Sequence, residues 1–252
     1  LTAEDLARYQ TIERAPIRGT YRGYEIAGAP PPTAGGLHLV EMLNVLEGLD
    51  VAGLGFGSAE YFHLIAETLK IGFADRNACT GDPAFVDIPV ARLTSKEYAA
   101  ARRAAIRPDR AGDHAVSPAA AGSAHTTHVT AADADGNVVA MTQTINNLFG
   151  AKATAPGTGV LLNNTMALFD PHPGHPASVA PGKRVTSSMA PTIVLRDGRP
   201  RWALGLPGGV RIFTSVLQAV VNLIDHRMSL QQAVEAPRIW SQGQDLEMED
   251  GI

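Results

Sequence analysis

The sequence predicts an α+β fold, a sandwich of antiparallel hairpins backed by helices rather than a doubly wound parallel sheet. Three observations carry this expectation. Two pairs of strand-like runs flank turn signals, Asp133 to Asn137 (with Asp135-Gly136) and Asp197-Gly198. Apolar residues recur at helical spacing in Leu37, Val40, Leu43, Leu46 and Leu49, and again in Phe62, Ile65, Leu69 and Phe73. A third apolar helix, with Ile212, Val216, Val220 and Ile224, follows directly on the second hairpin, so helices back hairpins instead of alternating with parallel strands.

Taken in order, Leu1 to Leu6 opens a helix, with Thr2 as N-cap and Asp5 as its capping-box partner. It has neither a basic start nor an apolar run and is not a signal peptide. No Met opens the chain, so a mature or truncated form is expected, and localisation stays open. Residues 18–28 read as extended, with Tyr21, Tyr24 and Ile26 among polar neighbours. Pro30-Pro31-Pro32-Thr33-Ala34-Gly35-Gly36 is a rigid, non-helical turn, because each proline fixes its own backbone and restricts the residue before it. The two long helical patterns follow, then a further helix over about 95–106.

Residues 107–124, Arg107-Pro108-Asp109 through Ser117-Pro118 to Ser123, are rich in Ala, Gly, Ser and Pro, lack periodicity and read as a mobile, exposed linker. The second block opens abruptly with the β-branched run Thr126-Thr127-His128-Val129-Thr130, and Val138 to Thr144 is its returning strand. Thr192 to Leu195 and Trp202 to Gly205 form the second hairpin. Pro207-Gly208-Gly209 opens the apolar helix, and Ser229 caps a short helix over about 229–236. There is no internal repeat. The chain thus divides into residues 1–125, ending in the linker, and residues 126–252.

Composition narrows the function class. With 252 residues, 45% apolar and 18% charged, the chain has the make-up of an ordinary globular protein able to bury a sizeable core. A net charge of −4 gives no footing for nucleic acid or an anionic membrane surface. No apolar stretch is long enough to span a bilayer. The single cysteine, Cys79, allows no internal disulfide and reads as a small packing residue.

Several residue groups have chemistry available to them. A chain cut before Thr126 would place a new α-amine, titrating near pH 8, beside a threonine hydroxyl, and the amine could then act as base for that hydroxyl. Thr126 and Thr127 also fit as the plain start of a strand. Gly208 and Gly209 let a backbone approach a ligand, and N–H groups at a helix start can hold an oxyanion; an ordinary strand-to-helix turn fits equally. Ser187-Ser188 could offer two hydroxyls to a carboxylate or line a loop. His172 and His175 lie in a Pro/Gly loop without nearby Cys or a helical frame, which disfavours metal. His125 and His128 fall on opposite faces of a strand. Gly53 to Gly57 lacks the strand and helix of a dinucleotide site, and no Gly-x-Ser-x-Gly elbow is present.

In order and spacing, these segments resemble the γ-glutamyltransferase family over nearly the whole chain. The proline-rich turn, Phe73-Ala74-Asp75-Arg76 and Gly81-Asp82-Pro83 resemble the end of its large subunit, and Thr126-Thr127-His128 the start of its small subunit. Thr142-Gln143-Thr144-Ile145-Asn146, Phe149-Gly150, Leu161-Leu162-Asn163-Asn164, Pro181-Gly182-Lys183-Arg184, Ser187-Ser188-Met189 and Pro207-Gly208-Gly209 follow as in the family. The resemblance implies an αββα sandwich of the N-terminal-nucleophile hydrolase type that cuts itself between His125 and Thr126.

The resemblance also implies roles. Thr126 would be the nucleophile in self-cleavage and acyl transfer, with Thr144 hydrogen-bonded near its amine or hydroxyl. Asn146 and Thr165 would contact the substrate's amino-acid head, Ser187 and Ser188 its α-carboxylate, and the Gly208 and Gly209 N–H groups the oxyanion. The implied reaction passes a γ-glutamyl group, as from glutathione, to water or an amino acid, without metal or organic cofactor. The implied partners are that small-molecule amide and acceptor, with large and small pieces joined as a heterodimer whose further assembly is open.

Two departures bear on the substrate. Where the family carries a Gln and then an Asp that grips the α-amine, this chain has Thr165 and Leu168, and Asp170 is the nearest acid. The family's N-terminal half, with an arginine that clamps the α-carboxylate, and its C-terminal tail are also absent. An acylase of the same fold acting on a glutaryl-type amide, and a non-catalytic homologue, stand as alternatives.

Overall fold

The computed structural model describes residues 2–114, 125–243 and 245–252. In chain order the elements are α1 (Ala3–Arg8), β1 (Ile17–Tyr21), β2 (Tyr24–Gly28), α2 (Gly35–Glu47), α3 (Val51–Leu54), α4 (Ala59–Cys79), α5 (Val90–Leu93) and α6 (Lys96–Arg103). After residue 125 come β3 (Thr127–Ala132), β4 (Val138–Gln143), β5 (Thr192–Arg196), β6 (Arg199–Leu204), α7 (Ile212–Ile224), α8 (Leu230–Glu235), β7 (Ile239–Trp240) and β8 (Glu247–Met248). The fold is α+β, as the hairpin and helix signals predicted.

Local chemistry explains most boundaries. Thr2 and Asp5 form the expected capping box on α1, and Ser229 forms one with Gln232 on α8. Ser58 and Ser95 cap α4 and α6 by accepting from the N–H groups three residues on. Asp197 and Gly198 both take positive φ, 53° and 73°, which suits the two-residue turn that joins β5 to β6.

The main sheet has the antiparallel order β1-β2-β5-β6, so it takes two strands from each side of residue 125. The β2–β5 register runs from Glu25 opposite Leu195 to Gly28 opposite Thr192. Residues 1–125 and 126–252 therefore share one core. Helix α2 lies at its centre, buried from Gly35 through Leu46. It is apolar almost all round, the pattern of a helix covered on every side. Each fully buried leucine there, such as Leu37, Leu39 or Leu43, contributes about 1.5–3 kcal/mol.

The start of α2 needs glycine because the chain is crowded there. A Cβ on Gly36 would clash with the Ala29 carbonyl, and one on Gly35 with the Met189 carbonyl. Just before it, Thr33 Oγ1 donates to the carbonyl of Met189 (2.6 Å) and lies 3.3 Å from that of Ser187, and Ala34 N donates to Ser187 O at 2.8 Å. The proline-rich turn thus clamps the Ser187-Ser188-Met189 segment against the helix.

Part of the segment expected to be a mobile linker is tethered. Gly112 N donates to Glu67 Oε2 (3.0 Å), Lys70 Nζ donates to Gly112 O (2.9 Å), and His63 Nε2 lies 2.6 Å from Arg107 O. Composition does not reveal this, because the anchors are polar side chains of α4 with no local pattern. Residues 115–124, the rest of that expectation, lie outside the described residues. Cys79 is half-buried at the end of α4, packed against the core.

Candidate active site

The β3–β4 ladder ends with Thr127 opposite Gln143. One rung further, Thr126 falls opposite Thr144, and their hydroxyl oxygens lie 3.3 Å apart. Thr144 Oγ1 is also 2.7 Å from His125 O, and Asn146 N is 2.8 Å from Thr144 Oγ1. The proton order follows from chemistry. A carbonyl only accepts and an amide N–H only donates, so Thr144 gives its one proton to His125 O and accepts from both Asn146 N and Thr126 Oγ1.

Asn146 is held by its surroundings. Its φ is 73°, a conformation asparagine tolerates better than most residues, and its side-chain amide donates to Asn164 O at 3.4 Å. Asn164 in turn accepts from Asn147 N at 2.9 Å through Oδ1 and donates its own N–H to Ile145 O at 3.2 Å. The Asn163-Asn164 motif therefore braces the strand exit that carries Thr144 and Asn146.

Thr126 stands between two spaces. On one side is a cavity of about 30 Å³, walled by Thr126, Thr144, Asn146, Ser187, Ser188 and Gly209. Leu168, Val210 and Ile212 add apolar surface, and Arg76 is also part of the lining. On the other side is a cleft of about 600 Å³, lined by His125, Ile145, Leu148, Phe149 and Pro207 among others. A larger hollow of about 1010 Å³ lies by Arg22 and Asp225 and includes none of the candidate residues.

Most of the residues singled out from sequence meet at the small cavity, but not all. Ser187 and Ser188 line it, with Ser188 buried. Gly208 and Gly209 have φ of 149° and 59°, and stand at the cap and first position of a 3₁₀ turn, Gly209–Arg211, that runs into α7. N–H groups at such a start have no intrahelical acceptor. Gly209 lines the cavity; Gly208 does not.

Thr165 stays outside, its hydroxyl turned to Asn163 Oδ1 within the short turn Thr165–Leu168. Asp170 is engaged elsewhere: it accepts from His172 N at 2.8 Å, and His172 Nδ1 lies 2.9 Å away. These hydrogen bonds, the backbone one first, hold its carboxyl below the usual range. His128 bridges Thr142 (2.8 Å) and Thr130 (3.1 Å) along the hairpin.

Arg76 is the residue whose place the sequence reading did not assign. A signal was present: Leu69, Phe73 and Arg76 stand at i, i+4 and i+7, which puts a charge on the apolar face of α4.

The sequence profile described as Gamma-glutamyltranspeptidase matches residues 1–252. The chain belongs to that family. It is 60% identical over 248 residues to the acylase ACY 1 proenzyme of Pseudomonas sp. (strain SE83), covering 98% of this chain and 44% of that protein. It is 43% identical over 263 residues to the glutathione hydrolase proenzyme of Escherichia coli (strain K12), covering 96% of this chain and 44% of that protein. Among solved structures, the crystal structure of cephalosporin acylase from Bacillus halodurans superposes with a TM-score of 0.86 at 29% identity, over 100% of this chain and 45% of that one. The chain thus spans less than half the length of the relatives it matches. The α+β sandwich of the N-terminal-nucleophile hydrolase type is the fold that this family membership implied and that the superposition bears out.

Proposed function

We propose that this chain carries the active centre of a self-processing amide hydrolase in which Thr126 is nucleophile twice. The observation that supports this is the ordered contact Thr126–Thr144–His125. In the first reaction Thr126 Oγ attacks the carbonyl carbon of His125, its proton leaving toward Thr144. The developing oxyanion already faces the Thr144 hydroxyl. The His125–Thr126 C–N bond breaks as the nitrogen gains a proton, an ester forms on Oγ, and water hydrolyses it.

The freed α-amine then serves as base. Thr126 attacks the acyl carbon of a substrate amide, the N–H of Gly209, which alone of the two glycines lines the cavity, holds the oxyanion, and the amine product leaves with a proton. Water, or an amino acid, takes the acyl group. The large and small pieces stay together as a heterodimer.

The acyl donor is a glutaryl-type amide, with a terminal carboxylate and no α-ammonium. Leu168 lines the cavity, and Asp170, the nearest acid in sequence, does not. An ammonium there would lack a counter-ion, which is costly in a desolvated site. A γ-glutamyl donor is the second reading, supported by Asn146, Ser187 and Ser188 at the same cavity.

The test uses the full-length protein. N-terminal sequencing should find a piece starting Thr126-Thr127-His128, and the enzyme should hydrolyse glutaryl p-nitroanilide faster than the γ-glutamyl compound. An unbroken chain after long incubation at neutral pH would sink the nucleophile assignment; a strong γ-glutamyl preference would sink the donor assignment alone.

A further inference from the structure

We propose that Asp82 is a positioning residue for substrate: from residues 1–125 it fixes a wall of the Thr126 cavity that residues 126–252 supply. This rests on the reading of Thr126 as nucleophile and of its cavity as the place of the acyl donor.

The wall in question is Thr186, Ser187 and Ser188. Neither helix nor strand carries it, since the described residues form none between the turn Thr165–Leu168 and β5. A segment without a ladder of its own keeps its place through individual anchors. Downstream, Ala34 N donates to Ser187 O at 2.8 Å and Thr33 Oγ1 to Met189 O at 2.6 Å. Upstream, Arg184 N donates to Asp82 Oδ2 at 2.7 Å, the short distance of a charge-assisted hydrogen bond. Thr186 lies between the two anchors.

Asp82 is fully buried, and its other oxygen accepts from Ala84 N at 3.2 Å. Burying a carboxylate costs solvation. What this one gains is a fixed place for a backbone 102 residues away. Its neighbours serve the same contact. A Cβ on Gly81 would meet Pro176 O at 2.5 Å, and Thr186 Oγ1 lies 3.5 Å from Thr80 O. Lys183 Nζ donates to Pro176 O (2.7 Å) and Ser178 O (2.9 Å), which ties the near side of that loop to Arg184. Thr80 to Asp82, at the end of α4, thus form a shelf under residues 176–186. The contacts proposed to carry self-cleavage, Thr126 to Thr144 and Thr144 to His125, do not include the shelf. Losing Asp82 should therefore loosen donor binding and spare the cut.

The experiment compares the full-length wild type with Asp82→Ala and Asp82→Asn. It follows the rate of the cut before Thr126 on denaturing gels. It then measures kcat and KM of the mature enzymes on whichever of the glutaryl and γ-glutamyl p-nitroanilides the wild type cleaves faster. Asp82→Ala should raise KM about tenfold and leave kcat and the cutting rate within about threefold, because a wall holds ground state and transition state alike. Asp82→Asn keeps one acceptor oxygen, so its KM should rise about threefold, and it serves where the alanine variant does not fold. An unchanged KM in a folded variant would show that the wall does not depend on Asp82. Losses in kcat and cutting rate as large as the rise in KM, or two variants that both fail to fold, would make Asp82 a general structural residue. Each of these results overturns the proposal. A wild type that is not cut before Thr126, or that cleaves neither amide, instead overturns the nucleophile reading, and shows before any variant is made.

Discussion

Thr144 lends its single proton to the carbonyl of His125 at 2.7 Å while receiving the hydroxyl of Thr126 at 3.3 Å. One side chain therefore touches both the oxygen proposed to attack and the bond proposed to be cut. Replacing it separates the two tasks. Thr144→Ala should slow cleavage at His125–Thr126 about 10²–10³-fold, the usual cost of losing one oxyanion donor, and Thr144→Ser should restore most of the rate. Band densities over time on denaturing gels measure this; cleavage at the normal rate in Thr144→Ala would remove Thr144 from the mechanism.

Thr126→Ala should abolish both cleavage and amide hydrolysis with the fold intact, since Thr126 is half-buried at a cavity edge and the lost methyl and hydroxyl leave only a small gap. Circular dichroism and intact mass check the two halves of the claim. A variant that matured normally would show the nucleophile lies elsewhere.

Gly209→Val should lower turnover about 10²–10³-fold. At φ 59° a β-branched residue is strained, and the N–H that it carries would shift from the Thr126 cavity. KM should change far less than kcat; a loss confined to KM would argue against an oxyanion role.

Leu168→Asp should move the ratio of γ-glutamyl to glutaryl kcat/KM upward by about ten- to a hundredfold, from one charge-assisted hydrogen bond worth about 1.5–3 kcal/mol. The new acid would attract an ammonium. An unchanged ratio would mean that residue 168 does not face the acyl head.

The buried His38–Glu41 contact sets a pH dependence. Burial pushes His38 down to about 3 and Glu41 well above its ordinary value, so burial favours the neutral form of each. For Glu41 the folded value lies above the unfolded one. Its contribution is complete below about pH 4.5 and is lost as pH rises toward the folded value, by about 1.4 kcal/mol per pH unit. Glu41→Gln keeps a donor for His38 without that titration. Its gain in Tm over the wild type should grow from pH 5 to pH 8; a gain flat with pH would refute the protonated state.

Much of this was legible in the sequence, where signals are local. The capping box at Thr2, the cap at Ser229, the turns at Asp133 and Asp197, and the apolar faces of α2, α4 and α7 all follow from spacing and side-chain chemistry. The meeting of Thr126 with Thr144 was implied by the family resemblance, and the observed register of the hairpin places the two opposite each other. Long-range facts did not show. Nothing local to β2 says that it will pair with β5, and nothing near Gly112 says that Glu67 will hold it. Asp170 and Leu168 are two residues apart, and only the turn between them decides which one meets the cavity.

The β2–β5 pairing has a thermodynamic corollary. Before a cut at residue 125 the sheet closes within one chain, and folding is first order. After the cut the same ladder joins two chains, and unfolding releases separate fragments whose reunion depends on concentration. At cellular dilution that return is slow, so the lifetime of the cut protein would rest on its unfolding rate rather than on an equilibrium constant. Refolding yield should then rise with protein concentration for the cut form and stay level for an uncuttable one.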